Sequence, residues 1–274
     1  MRFSKMHGAG NDFVVLDCRA VPLPDADTLR AMARRHTGIG CDQILTIQPP
    51  RRPGSVAAYG VFNADGSMSG QCGNGARCVA AWLQRDDPRI GTAFSIDSPA
   101  GSHAVVQEGG LWSIDMGAPD FDPAALPMAG GHAQATHYAV ALDTGMVGFG
   151  AVSMGNPHAV VEVDDIAHAD VAGIGPALQA SGLFPESVNV GFAQVIDAGH
   201  IALRVHERGA GETLACGSGA CAAVAVLTQQ GRLRAGAPVR VALPGGELRI
   251  GYDAAAGSMR MAGPAAFVFE GEWL

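Results

Sequence analysis

Two stretches of this chain are near copies of one another, and that pairing constrains its fold more than any other feature. Cys72-Gly-Asn-Gly-Ala-Arg-Cys78 and Cys216-Gly-Ser-Gly-Ala-Cys221 each run Cys-Gly-polar-Gly-Ala into an apolar segment, with their leading cysteines 144 positions apart. Ala76, Val79, Ala80 and Leu83 are answered 144 residues later by Ala220, Ala223, Val224 and Leu227, and both sets follow the apolar stripe of a helix. Gly10-Asn11-Asp12 leading into Phe13-Val14-Val15 is answered by Gly155-Asn156-Pro157-His158 leading into Ala159-Val160-Val161, with Asn156 placed 145 after Asn11. The helical segment at residues 25–35 is answered by residues 170–179 at the same offset. Landmarks at one offset mean a single internal duplication rather than a solenoid.

Each half reads mostly as short strands. Residues 13–17, 44–47, 56–62, 93–97, 104–107 and 111–116 have strand character in the first half, and residues 138–142, 147–153, 159–163, 188–192 and 201–206 in the second. Gly38 is expected to stop the helix over 25–35. The cysteine-led helices are expected near residues 74–84 and after Cys216. The second is apolar on every face, which suits a helix buried on all sides. The expected fold is therefore α+β: two pseudo-symmetric domains, each with strands wrapped around a central helix. Residues 1–117 form the first half, completed by a returning strand within 263–274, and residues 118–262 form the second. The cleft between them is the expected place for a site.

Composition narrows the function. Apolar residues make up 48% of the chain, enough for a sizeable core, and 38 glycines among its residues imply many tight turns. The net charge of −8, with no basic run longer than Arg51-Arg52, argues against nucleic acid or an anionic membrane as partner. No stretch approaches 18 unbroken apolar residues. The first residues, Met1-Arg-Phe-Ser-Lys-Met-His-Gly, lack the apolar region of an export signal, so reduced thiols in the cytoplasm are the expectation. There is no Cys-x-x-Cys pair, and no metal site is expected.

A cysteine at a helix N-terminus sees the positive end of the helix dipole and unpaired N–H groups, which favour thiolate and lower its pKa from about 8.5. Glycine after it admits close approach of a ligand to the backbone. Two such ends facing each other would cradle a carboxylate between two thiols. That suits proton transfer at a carbon next to a carboxylate: one thiolate takes the proton from one face and the opposed thiol returns one to the other. The aligned N–H groups stabilise the charge that develops. No electron-sink cofactor is needed, and the chain carries no motif for one. His158 and Glu207 are candidate proton relays to the thiols. Asn11, Gln43, Asn63, Asn156 and Asn189 are neutral polar groups beside glycine-rich turns, suited to a zwitterion, and Arg208 can clamp a second carboxylate.

Plainer readings stand beside these. Paired cysteines can simply be small buried residues at crowded helix ends. Each asparagine can be a turn former, and Arg208 with Glu207 an ordinary surface pair. Gly8-x-Gly10 and Gly209-x-Gly211 lack the third glycine of a dinucleotide fingerprint, and Gly217-Ser218-Gly219 lacks the Gly-x-Ser-x-Gly of a nucleophile elbow.

Taken together, the motifs resemble the diaminopimelate epimerase family almost end to end. The resemblance is carried by Phe3-x-Lys5-x-His7-Gly-x-Gly-Asn11-Asp-Phe-Val, Gly40-Cys-Asp-Gln43, Phe62-Asn-Ala-Asp-Gly66, Gln71-Cys-Gly-Asn-Gly-Ala-Arg-Cys78, Gly155-Asn-Pro-His158, Val188-Asn-Val-Gly191, the block from Glu207 to Cys221, and Glu270-Gly-Glu272. It implies a cofactor-independent enzyme of lysine and cell-wall biosynthesis that interconverts LL- and meso-2,6-diaminopimelate, usually as a homodimer whose domains close over substrate. It implies Cys72 and Cys216 as the acid/base pair, assisted by His158 and Glu207. The N–H groups of Gly73-Asn74 and Gly217-Ser218 would hold the reacting carboxylate. Asn11, Asn63, Asn156, Asn189, Glu207 and Arg208 would bind the amino groups and the distal carboxylate, with Gln43 at the same pocket. Rival readings are a proline or hydroxyproline racemase of the same fold, a thiol–disulfide redox protein, and a carboxylate-binding module without catalysis. Arg208 and the asparagines argue against a substrate with a single carboxylate.

Overall fold

The computed structural model describes residues 1–70, 72–143, 145–253 and 255–274; Gln71, which opens the first cysteine motif, lies outside the described residues. In chain order the elements are β1 (Arg2–Gly8), β2 (Asn11–Asp17), α1 (Ala26–Ala33), β3 (Gln43–Gln48), β4 (Ser55–Asn63), β5 (Met68–Ser69), α2 (Gly73–Asp86), β6 (Ala93–Ser98), β7 (Gly101–Glu108) and β8 (Leu111–Asp115). They continue as β9 (Tyr138–Leu142), β10 (Gly145–Ser153), β11 (Pro157–Glu162), α3 (Val171–Ala180), β12 (Asn189–Asp197), β13 (His200–Glu207), β14 (Gly211–Thr213), α4 (Gly217–Gln229), β15 (Val239–Leu243), β16 (Gly246–Asp253), β17 (Ser258–Gly263) and β18 (Ala266–Glu272). The chain divides into two compact units, residues 1–115 with 262–274, and residues 116–261. Among the described residues no helix is long and apolar enough to cross a membrane.

The first unit is one curled sheet. β18 pairs antiparallel with β1, β1 antiparallel with β2, β2 parallel with β3, β3 antiparallel with β4, β4 parallel with β6, and β6 and β7 antiparallel with β7 and β8. Although β1 and β8 lie far apart in that order, both pack on α2, so the sheet wraps around the helix. β2, β3 and β4 are buried on both faces over most of their length, as the enclosed part of a sheet requires. A Cβ at Gly75 of α2 would stand 2.9 Å from Leu45 and 3.4 Å from Phe13, so these side chains point inward. The alternate residues Val14, Leu16 and Ile44 point outward onto Leu29, Met32 and Ala33 of α1.

The second unit repeats the plan. β9, β10 and β11 pair antiparallel, β11 and β12 parallel, β12 and β13 antiparallel, β13 and β15 parallel, and β15 and β16 antiparallel. β10 and β16, far apart in that order, both reach α4. α3 covers the outside of the sheet, with Val171 and Leu178 packed among Phe149, Val161, Val190 and Phe192. The expected α+β duplication with a central helix per half is therefore present.

Several elements differ from the sequence reading. β1, β5, β14, β15, β16 and β17 lie outside the strands expected from sequence. α1 ends at Ala33, and Gly38 is not its cap. The N–H groups of Gly38, Ile39, Gly40 and Cys41 return to the carbonyls of residues 32–34 and satisfy the last turn. Gly38 is required for space, since a Cβ there would overlap the Ala31 carbonyl oxygen.

Candidate active site

Topology gathers the candidate residues of each half at one end of its sheet. β2 and β3 run parallel, so their N-terminal residues Asn11 and Gln43 share an end. β4 runs back antiparallel, so its last residue, Asn63, arrives there opposite Gln43. The chain then enters α2 through Cys72. The second half does the same. Parallel β11 and β12 place His158 opposite Asn189, β13 returns to end at Glu207, and α4 begins after Cys216.

In the first half, Cys72 is the N-cap of α2, with extended backbone at φ −140° and ψ 108°. Its Sγ accepts the Gly75 N–H at 3.4 Å and lies 3.7 Å from Asn11 Oδ1. Asn74 Nδ2 is 3.5 Å from the same Asn11 oxygen, and Asn74 Oδ1 accepts from Arg77 at 2.9 Å. Gln43 Nε2 donates to Asn63 Oδ1 at 2.9 Å, and Asn63 Nδ2 donates to Ser67 Oγ at 3.0 Å. Gly73 and Asn74 are buried in the first turn, where helix N–H groups have no partner within the helix.

In the second half, Cys216 caps α4 in the same manner, at φ −113° and ψ 110°, and its Sγ accepts the Gly219 N–H at 3.4 Å. Ser218 Oγ is 3.6 Å from the sulfur. Gly219 has no room for a side chain: a Cβ would stand 3.1 Å from Val205 and 3.2 Å from Cys216 Sγ. The backbone N–H of Arg208 donates to Asn189 Oδ1 at 3.0 Å, Asn189 Nδ2 donates to the Pro157 carbonyl at 3.3 Å, and Arg208 Nη1 reaches the Glu186 carbonyl at 3.0 Å. Thr213 Oγ1 donates to Glu207 at 2.5 Å. His158 Nε2 and Asn156 Oδ1 are 3.0 Å apart.

The electrostatics correct one expectation. Cys216 was expected to favour thiolate at its helix end. Burial and the neighbouring Glu207 carboxylate instead push its thiol well above the ordinary cysteine value, outweighing the Ser218 hydroxyl and the Gly219 N–H. Cys216 is therefore a protonated thiol at neutral pH. Burial, and then the charge of Arg208, push His158 down to about 3, so the imidazole is neutral. A neutral ring beside Asn156 Oδ1 carries its proton on Nε2.

Reading from sequence passed over three residues that hold these groups in place. Asp42 accepts the Asn11 amide at 3.0 Å, Arg77 donates to Asn74, and Thr213 donates to Glu207. All three lie inside the motif blocks, where position within a block was the only available signal.

Comparison with known proteins supplies the family. The family model described as diaminopimelate epimerase matches residues 3–121 and 150–268, one range in each half of the duplication. A protein named diaminopimelate epimerase from Xanthomonas axonopodis pv. citri (strain 306) is 58% identical over 100% of this chain and 96% of its own length. One of the same name from Xylella fastidiosa (strain M12) is 56% identical, with the same coverage. Among solved structures, a hydroxyproline epimerase from Agrobacterium vitis with bound trans-4-hydroxy-L-proline superposes with a TM-score of 0.71 at 15% identity, covering 99% of this chain and 91% of that one. A phenazine biosynthesis protein of the PhzF family from Bacillus anthracis gives 0.69 at 15% identity, covering 100% and 99%. These distant structures share the fold. Fold, twin capped cysteines and relatives together define an isomerase acting on amino acids. Within that class, the chain belongs to the diaminopimelate epimerase family.

Proposed function

We propose that this chain interconverts LL- and meso-2,6-diaminopimelate by two-base proton transfer at the α-carbon, without a cofactor. The observation that carries the reading is the repeated capping geometry. Each half buries one helix, caps it with a cysteine, and ties that sulfur to the N–H three residues on. In the proposed reaction the site lies in the cleft between the half formed by residues 1–117 with 263–274 and the half formed by residues 118–262. One of Cys72 and Cys216, as thiolate, removes the α-proton, and the other, as thiol, delivers its own proton to the opposite face. The reverse reaction exchanges the two roles.

The first-turn N–H groups of Gly73-Asn74 and Gly217-Ser218 hold the reacting carboxylate and stabilise its developing negative charge. Glu207, beside Cys216, and neutral His158 serve proton exchange at that thiol. Gln43 lines the same pocket. Asn11, Asn63, Asn156, Asn189, Glu207 and Arg208 bind the amino groups and the distal carboxylate. The enzyme works as a homodimer in the cytoplasm, in lysine and peptidoglycan biosynthesis. The net charge of −8 gives no support for nucleic acid or membrane as partner.

The test is incubation with LL-diaminopimelate in D₂O under reducing conditions, following the α-proton by NMR and the product by chiral separation. Meso product carrying deuterium at the inverted carbon is expected, and neither Cys72→Ala nor Cys216→Ala should form it. Folded, reduced protein that neither exchanges nor inverts would overturn the reading. Turnover of proline under the same conditions would move it to the neighbouring racemases.

A further inference from the structure

Asn11 places an oxygen, not an amide N–H, toward Cys72 Sγ, and the surroundings dictate that choice. The Asn11 Nδ2 donates to Asp42 Oδ2 at 3.0 Å. A carboxylate can only accept, so the amide nitrogen must face Asp42 and the oxygen must face the sulfur. The far end of the chain of amides is fixed by the opposite logic. Arg77 can only donate, so it takes Asn74 Oδ1 and turns Asn74 Nδ2 toward Asn11. Asp42 is itself braced. It accepts the Asp12 N–H at 3.1 Å, donates its own N–H to Asp12 Oδ1 at 2.9 Å, and pairs with Arg35 at 2.6 Å.

We propose that Asp42 is a positioning residue that fixes the polarity of the Asn11 amide and thereby sets the protonation preference of Cys72. With the carbonyl oxygen toward it, the sulfur is served as an S–H donor. With the amide reversed, an N–H would point at the sulfur and favour the thiolate. Asp42 is half exposed on its own side chain and acts through Asn11, not on substrate. The proposal rests on the two-base reading only for what Cys72 then does. The polarity itself is a property of the substrate-free protein.

Among the described residues, Tyr59 from β4 and Cys78 from α2 interact electrostatically with Cys72, and Arg77 from α2 holds Asn74. All stay constant in the comparison of Asp42→Ala with Asp42→Asn. Both substitutions remove the charge, but only Asp42→Asn keeps a side-chain oxygen for the Asn11 amide. The readout is the pH profile of Cys72 alkylation by iodoacetamide without substrate, located by peptide mass mapping, with thermal unfolding to verify the fold. Asp42→Ala is expected to move the profile to lower pH and speed alkylation at pH 7 by about threefold or more, while Asp42→Asn stays near wild type. Equal shifts in the two variants would make Asp42 a through-space charge and overturn the proposal, as would no shift in either. Because no substrate is present, these outcomes are independent of whether diaminopimelate is turned over.

Discussion

Cys216 and His158 are both held in their neutral forms by burial, and each has a measurable consequence. Cys216 should resist iodoacetamide at pH 8 and react appreciably only well above pH 9 in the folded protein, whereas in urea it should titrate as an ordinary thiol. For His158 the folded pKa lies below the unfolded one of about 6.5. The unfolded chain therefore binds the extra proton as pH falls, and stability drops between pH 6.5 and about 3 by about 1.4 kcal/mol per pH unit from this group. Urea unfolding across that range should show a shallower acid slope for His158→Gln, which keeps a donor for Asn156. Gly219→Ala addresses geometry instead of charge. Its methyl would meet Cys216 Sγ and Val205, and displacing the reacting sulfur should lower kcat, by up to about 10²-fold. The melting temperature should change little by comparison. Residue roles were legible where chemistry and repetition coincided, as at the two cysteines. Asp42 and Thr213 were not, because each acts through a neighbour that only the folded backbone supplies.

At the scale of elements, the twin helices are specified twice over. Their apolar stripes match position for position, and each first turn is closed by a sulfur in place of the usual oxygen cap. α4 tolerates close approach from all sides because its sequence is small and apolar, and β10 exploits this at Gly150. A Cβ there would overlap Val226 Cγ1 and stand 2.8 Å from Gln230 Nε2. Gly150→Ala should cost about 1–3 kcal/mol in urea unfolding through overpacking. The helices and the long apolar strands could be placed from sequence because periodicity and glycine punctuation agreed. β1 could not, since Lys5 and His7 interrupt its apolar run. Lys5 is nonetheless buried, because Asp12 at 2.5 Å and the Gly40 carbonyl accept its ammonium. In that strand, partners drawn from later in the chain override local pattern.

For the whole molecule, the duplication is uneven in one respect: the second unit is a continuous stretch, whereas the first borrows β18 from the far end of the chain. β18 runs alongside β1 from Arg2 opposite Glu272 to His7 opposite Ala266, stacks Phe269 edge-on against Phe3, and leaves the Pro264 carbonyl 3.4 Å from Arg77 Nε. Deleting residues 264–274 should therefore strip hydrogen-exchange protection from β1 and α2 while leaving β11, β12 and α4 protected, as amide exchange read by mass spectrometry can show. The same borrowing sets a timetable on the ribosome. Residues 116–261 are all present and able to close on themselves while the first unit, although made earlier, still waits for its outermost strand. The half synthesised first is thus the half completed last, and a chain stalled before its final residues would carry the Cys72 helix in an unfinished sheet.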